Sequence, residues 1–315
     1  MRAANTLPIV PLHTSSCAQR TELFSFIILR FFRFSAQKYK IMLTFAGQTN
    51  NFLNMLPLQR RLRINSTEAL PKEHILLRLQ VPTDEDIDIR PGQFVEIRVE
   101  DSATTFLRRP ISVNFYDDER RELYLLIHCV GDGTRRLAHL REGDEVDCVF
   151  PLGKGFCTFD DEPEPSQLRV LLVGGGVGTA PLLYYGHELR RRGISVEFLL
   201  GGRTKDDILQ TQCFEETGPL HLTTEDGSAG VKGFVTHHPI LAADWTHIAC
   251  CGPKPMMWAV AREALRRNIP CELSLENLMA CGLGACLCCV EKTRRGNLCV
   301  CKEGPVFNAT ELLID

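Results

Sequence analysis

Nowhere in these 315 residues do about 18 apolar residues follow one another unbroken, the least that a membrane-crossing helix needs, so no membrane span is expected. Long runs of lysine and arginine are missing too, and the formal net charge is −3. A nucleic-acid partner would lack its electrostatic basis. Acidic residues are scarce at the start, where Glu22 stands alone before Glu68. The stretch from Phe24 to Phe34 is rich in Phe, Ile and Leu but broken by Arg30 and Arg33, so it imitates an arginine-rich transit peptide. No cleavage-site pattern accompanies it. Residues 1–57 are therefore read as a disordered extension, or as translated leader ahead of a start at Met42 or Met55.

Cysteine is the residue that is not scarce. The chain has 14, spread thinly and bunched only near the C-terminus, a distribution that suits a reducing, cytoplasmic setting and a metal better than a disulfide framework. Within the bunch, Cys281, Cys286 and Cys289 form Cys-x4-Cys-x2-Cys, and Cys301 follows. That spacing wraps a plant-type [2Fe–2S] cluster, with thiolates on both irons. Gly282 and Gly284 allow turn conformations in which several N–H groups aim at an anionic cluster. Zinc also accepts four cysteines, but its knuckles usually repeat Cys-x2-Cys. Cys288 and Cys299 adjoin the proposed ligands, and either can stand in for one of them.

The length allows two or three domains. From 58 to 160 short strands alternate with turns: Ile75–Gln80, Phe94–Val99 and Leu123–His128, separated by Pro82, Pro91-Gly92 and Asp117-Asp118. This reads as a small antiparallel barrel with one helix over Thr134–Leu140. Asp160–Ser166 is acidic and proline-rich, a connection. From 166 to 272 the pattern changes. Arg169–Val173 is a buried strand running into Gly174, Gly175, Gly176 and Gly178, then an amphipathic helix from about Thr179 to Arg192, then a strand over Ile194–Leu200. Strand, glycine turn, helix and strand make a Rossmann-like unit that holds a pyrophosphate at the helix N-terminus. A later strand, Trp245–Cys250, ends at Cys251, Gly252 and Pro253, and ligands of such sheets bind at the carboxyl ends of strands. The remaining block, 273–315, carries the cluster loop. The expected architecture is therefore multidomain, β plus α/β: barrel, nucleotide-binding domain, cluster domain.

Taken in order, Arg109-Pro110-Ile111-Ser112, Gly131 to Thr134, the glycine turn at 174–178 and Cys251-Gly252-Pro253 resemble the ferredoxin–NADP reductase superfamily. With Glu276 to Cys289 and Cys301 to Phe307 added, the chain is similar, from about Leu58 onward, to the iron–sulfur electron-transfer subunits of class 1B, NAD-dependent dihydroorotate dehydrogenases. The resemblance implies an FAD-binding barrel, with Arg109, Pro110, Ile111 and Ser112 along the flavin. It puts Leu126, Ile127 and His128 beside the adenine-side half of FAD, and Gly133 and Thr134 at its pyrophosphate. It implies NAD over the two glycine turns, with Cys251 near the nicotinamide and no certain catalytic residue. Cys250 is read as a buried small hydrophobe. Cys281, Cys286, Cys289 and Cys301 become the ligands, although Cys288 stands where the family usually has another residue type. Electrons would pass from a separate FMN-containing catalytic subunit through the [2Fe–2S] cluster and FAD to NAD+, in a heterotetramer of two copies each. Asp206 and Asp207 would repel a 2′-phosphate while Arg203 and Lys205 would attract one; the resemblance tips the choice to NAD. Two other readings stay open: a reductase subunit of a hydrogenase or a ferredoxin:NADP transhydrogenase, and a non-catalytic scaffold with a zinc knuckle.

Overall fold

Alternating apolar residues build the first half. The computed structural model describes residues 57–83 and 87–314; the extension expected over 1–57 lies, but for its last residue, outside them. Strands β1 (Leu58–Leu70), β2 (His74–Gln80), β3 (Phe94–Ile97), β4 (Arg109–Asp117), β5 (Glu122–His128) and β6 (Glu145–Leu152) close into a barrel in the order β1-β2-β5-β4-β3-β6. Every pairing is antiparallel. Ile75, Leu77 and Leu79 on β2 and Leu123, Leu125 and Ile127 on β5 fill its interior with Leu62, Ile64 and Phe150. The period of two sends the intervening residues outward. Closure leaves no bare edge. Helix α1 (Asp132–Leu137) joins β5 to β6 and starts two residues before the expected Thr134.

The second half is a seven-stranded sheet ordered β10-β9-β8-β7-β11-β12-β15. Its chain order is β7 (Arg169–Gly175), α2 (Ala180–Arg191), β8 (Ser195–Gly202), α3 (Thr211–Thr217), β9 (Leu220–Thr224), β10 (Val231–Lys232), β11 (His247–Cys251), α4 (Lys254–Arg266) and β12 (Cys271–Ser274). These strands run parallel, and helices cover both faces, so β7 needs apolar residues on each side. Val170 and Leu172 pack with α2, through Leu182 and Leu189. Leu171 and Val173 pack the other way, with Met257, Val260 and Ala261 of α4. Cys250 and Cys251 divide between the same two faces, and Cys250 is fully buried.

The C-terminal segment is woven into this sheet. A hairpin of β13 (Val290–Thr293) and β14 (Gly296–Cys299) leads through α5 (Val300–Glu303) to β15 (Val306–Asn308), which lies antiparallel on β12. The boundary expected between 272 and 273 thus falls inside β12. Two seams hold the barrel against the rest. Asn114 of β4, wholly buried, donates to Ala180 O at 3.0 Å and to Gln210 Oε1 at 3.1 Å, and Tyr184 donates to Ile89 O at 2.9 Å. At the other seam Phe94 and Leu152 pack against Cys289, Cys301 and Phe307.

Candidate functional site

The cluster loop lies on the barrel at the second seam. Gly282 has φ +67° and a Cβ there would come within 2.8 Å of Glu96 Cγ; Gly284 has φ +79° and would meet Lys302 Cδ at 2.8 Å. Side chains at either position would lift the loop. Its sulfurs pair two and two: Cys281 and Cys286 are within hydrogen-bonding reach of each other, as are Cys289 and Cys301. Backbone amides aim at them. Leu283 N donates to Cys281 Sγ at 3.4 Å, Gly284 N to Cys301 Sγ at 3.1 Å, and Cys301 N to Cys289 Sγ at 3.3 Å. Burial works against the Cys281 thiolate, but the amides of Leu283 and Cys286 hold its pKa down to about 6. Burial, then Cys289, pushes Cys301 up to about 12. Among the described residues no three Cys, His, Asp or Glu side chains converge on one point as a mononuclear site would require. Two thiol pairs within N–H groups fit a two-iron cluster, which these four sulfurs would hold. Cys288 is exposed, and Cys299 is turned toward Gly284 O at 3.9 Å.

Paired with β3, the strand under the loop, runs the start of β4. Arg109, Pro110, Ile111 and Ser112 lie opposite Ile97, Glu96, Val95 and Phe94. The two arginines differ sharply. Arg108 is held by Asp147, donating to its backbone O at 2.8 Å and to Oδ2 at 3.0 Å. The Arg109 side chain makes no hydrogen bond or ion pair among the described residues; its stem instead lies against Gly133, where a Cβ would sit 3.2 Å from Arg109 Cδ. The free guanidinium and the α1 glycine are therefore brought together. Thr134 is engaged locally, its hydroxyl donating to Gly131 O and accepting from Gly131 N. Of the β5 residues, Ile127 points into the barrel, Leu126 is covered by Ala180, and His128 stacks on His74.

The glycine turns meet as well. Gly176 has φ +57° with open space at its Cβ, whereas a Cβ on Gly178 would lie 2.5 Å from Gly252 Cα. Gly174 ends β7 with Gly175, and a Cβ on Gly175 would strike Met256 Sδ. Gly175, Gly176, Arg203, Asp207, Pro253 and Met256 line one cavity of about 560 Å³. Cys251 sits behind it, 1 % exposed, its thiol bonded to Ser274 and pushed up by burial and then by Glu276.

Sequence reading missed Glu96. The alternation of β3 puts Val95 and Ile97 inside the barrel, so Phe94 and Glu96 face out, under the cluster loop. Burial raises the Glu96 carboxyl to about 7 against the pull of Arg108 and Arg109. Neither carboxyl oxygen has a partner. A lone Glu in an alternating strand normally reads as solvent-facing; only the overlying loop makes it a buried acid.

A barrel with a free arginine, a crevice over two glycine turns and a paired-thiol loop define a flavin- and iron–sulfur-dependent reductase of the ferredoxin-reductase type. Comparison with known proteins agrees. Residues 61–156 match the oxidoreductase FAD-binding domain, and 276–313 the iron-sulfur cluster binding domain of dihydroorotate dehydrogenase B. The dihydroorotate dehydrogenase B (NAD(+)) electron transfer subunit of Shouchella clausii is 40% identical over 231 residues, 71% of this chain and 87% of that one. Its namesake from Clostridium acetobutylicum is 38% identical over 230 residues, covering 73% and 89%. The chain belongs to this family of dihydroorotate dehydrogenase B electron transfer subunits. Among solved structures, one of the NADH-dependent reduced ferredoxin-NADP oxidoreductase superposes with a TM-score of 0.71 at 29% identity, over 81% of this chain and 90% of that one. A ferredoxin NADP+ reductase from Neisseria gonorrhoeae shares the fold, with a TM-score of 0.54 at 18% identity, over 66% and 91%.

Proposed function

We propose that this chain relays electrons for a dihydroorotate dehydrogenase, taking them from an FMN-containing catalytic subunit and delivering them to NAD+. The observation that carries this reading is the placement of the cluster loop on Glu96 of β3, the strand paired with the β4 segment that bears Arg109, so that cluster and flavin sites adjoin. Cys281 with Cys286, and Cys289 with Cys301, would hold a [2Fe–2S] cluster. Arg109, Pro110, Ile111 and Ser112, with Leu126, Ile127 and His128 on β5 and Gly133 and Thr134, would hold FAD. Gly174, Gly175, Gly176 and Gly178, with Cys251, Gly252 and Pro253, would face NAD. Bound flavin supplies the conversion between single electrons and a hydride. The protein's part is to fix the two centres beside each other, keep the Cys251 thiol protonated behind the nucleotide, and neutralise Arg203. That arginine is paired with Asp207 at 3.3 Å, which leaves less charge to attract a 2′-phosphate and favours NAD over NADP.

Docking of the catalytic subunit is assigned to the cluster face, where Leu278, Leu283 and Leu287 are 83%, 53% and 65% exposed; such a patch marks an interaction surface. A heterotetramer with two copies of each chain, working in the cytoplasm, completes the proposal. Every described cysteine is free, in keeping with a reducing compartment. Among the described residues no helix is long and apolar enough to cross a membrane. The test is reconstitution. The chain alone should reduce artificial acceptors with NADH and leave dihydroorotate untouched, and adding the catalytic subunit of the same genome should confer NAD-dependent orotate formation. Dihydroorotate oxidation by the chain alone overturns the relay. Failure to couple with the matched subunit would instead favour a reductase subunit of another complex, the reading supported by the structural likeness to the ferredoxin-NADP oxidoreductase.

A further inference from the structure

One hydrogen-bonded pair at the seam between barrel and sheet depends on two local irregularities, one on each side. The first lies in β4. Two residues of β4 advance against one of β5, from Val113 facing Leu125 to Phe115 facing Tyr124, so Asn114 is the extra residue of a β-bulge. The bulge lets Val113 and Tyr116, three apart, both enter the barrel core, and Asn114 turns to the sheet. The second irregularity is Gln210, between β8 and α3, at φ +55°. A glutamine in the left-handed region is uncommon and stays there only where its surroundings hold it. The two amides meet head to head. Asn114 Nδ2 donates to Gln210 Oε1 at 3.1 Å, and Gln210 Nε2 donates back to Asn114 Oδ1 at 3.1 Å. The other hydrogen on Asn114 Nδ2 goes to Ala180 O at 3.0 Å. Both amide hydrogens and the oxygen of this wholly buried side chain are thus used.

Stability does not account for the pair. Burying two amides costs their hydration, and apolar side chains of the same shape would hold the seam about as well. The neighbouring part of the seam is indeed apolar, formed by Leu76, Leu126, Ala180 and Leu209. Apolar burial is non-directional, whereas a satisfied buried amide pair fixes both distance and direction. What it fixes here is particular. Asn114 lies two residues beyond Ser112, at the end of the segment that begins with Arg109. Ala180 lies two residues beyond Gly178, which leaves no room for a Cβ beside Gly252. Gln210 lies three residues beyond Asp207, which lines the cavity of about 560 Å³ with Gly175 and Gly176. One asparagine therefore ties the flavin strand of the barrel to two segments that border the nucleotide crevice.

We propose that Asn114 and Gln210 are positioning residues, whose reciprocal amide pair sets the spacing between β4 and the glycine turn, and so between the flavin and the nicotinamide nucleotide that these would hold. The inference rests on the reading of this chain as a flavin- and NAD-dependent reductase. The test uses the whole chain loaded with FAD and cluster, and compares Asn114→Ala, Gln210→Gly and the double variant with wild type. Gln210→Gly removes the amide while keeping the left-handed turn. Each ligand keeps its own contacts, so flavin content and the calorimetric Kd for NAD+ should stay within about twofold of wild type. With ferricyanide as acceptor, each NADH gives two electrons to two ferricyanide ions and leaves NAD+ and a proton. The kcat of that reaction should fall by about tenfold or more in either single variant, since a misplacement of about 1 Å is that costly. A second readout needs no turnover. NAD+ added to the dithionite-reduced chain should give a long-wavelength charge-transfer absorbance in wild type that the variants largely lose, because the band requires flavin and nicotinamide rings in contact. The double variant should be within about twofold of the slower single one, as residues acting as one unit require. Tyr184→Phe removes a different seam hydrogen bond, that to Ile89 O, and should lower Tm while leaving both readouts as in wild type. Wild-type kcat and charge-transfer absorbance in Gln210→Gly overturn the proposal, and this variant carries the test by itself should Asn114→Ala not fold. So does an equal loss in Tyr184→Phe, which would mean a general loosening of the seam, or losses that multiply in the double variant. Wild-type chain that holds flavin but is not reduced by NADH would sink the reductase reading and the proposal with it.

Discussion

Arg108 and Arg109 are neighbours in sequence, yet they hold unlike positions in energy. Arg108 is tied to Asp147, which is mostly buried; removing it leaves that carboxylate with Gln59, at 2.9 and 3.1 Å, and the more distant Arg98 at 4.0 Å, and taking the nearest cation from a mostly buried charge is costly. The Arg109 side chain makes no hydrogen bond among the described residues and is available to a ligand phosphate, where each charge-assisted bond is worth about 1.5–3 kcal/mol. Arg109→Ala should therefore shed flavin on gel filtration with little change in Tm. Arg108→Ala should lower Tm while keeping flavin. Equal flavin loss in both would contradict the assignment. Glu96 yields a second prediction. Its carboxyl is raised from the ordinary 4.5 to about 7 by burial, so the folded chain binds that proton more tightly than the unfolded one. Unfolding free energy then falls as pH rises between those values and does not recover above them, at about 1.4 kcal/mol per unit at most. Glu96→Gln cannot ionise, so its Tm should gain on wild type as pH is raised from about 5 to about 8. A gap that stays constant across that range counts against an acid held neutral by burial.

Elements decide which glycines and cysteines matter. The turns after β7 and β11 touch, with no room for a Cβ at Gly178. Gly178→Ala should push the two turns apart, cutting NADH-dependent diaphorase activity by about tenfold or more while the barrel retains its flavin, because even a misplacement of about 1 Å is that costly. In the cluster loop, pairing and backbone donors single out four sulfurs of six. Serine at Cys281, Cys286, Cys289 or Cys301 should cost iron and visible absorbance, whereas Cys288→Ser and Cys299→Ser should keep both. Bleaching by the latter two with colour retained in Cys289→Ser or Cys301→Ser would reverse the ligand set. The loop also owes its position to β15. That strand ties the cluster segment to β12, so the loop is clamped between sheet and barrel.

At the scale of the molecule, the barrel, the sheet and the cluster segment meet along two seams, which puts the cluster loop over β3, the strand paired with the β4 arginine, and the cavity over the glycine turns on the β2–β5 side. The exposed leucines of the loop are the counterpart of that arrangement, since electrons must enter from outside. Leu283→Asp should abolish association with the catalytic subunit, measured by analytical ultracentrifugation, while NADH-dependent dye reduction by the chain alone stays within about twofold of wild type. Association that survives both Leu283→Asp and Leu287→Asp would move the docking face elsewhere.

Much of this was legible in the sequence, for reasons that are local. The Cys-x4-Cys-x2-Cys spacing with its glycines, the strand running into Gly174–Gly178 and the Arg109–Ser112 motif each hold their meaning within about ten residues, because loop geometry and strand–turn–helix junctions are short-range. The same holds for Cys250, buried because its strand is. What only the tertiary structure decided is which distant residues share a space. Nothing near Glu96 in the chain makes it a buried acid; the loop around Gly282, nearly two hundred residues on, does. Arg108 and Arg109 become different through Asp147, and His74 meets His128 through the register of two strands. The last strand, β15, joins a sheet whose other members lie on the far side of the cluster loop. Pattern and propensity act over a few residues, whereas pairing register and layer packing bring remote segments together, and it is there that the partners of this site are chosen.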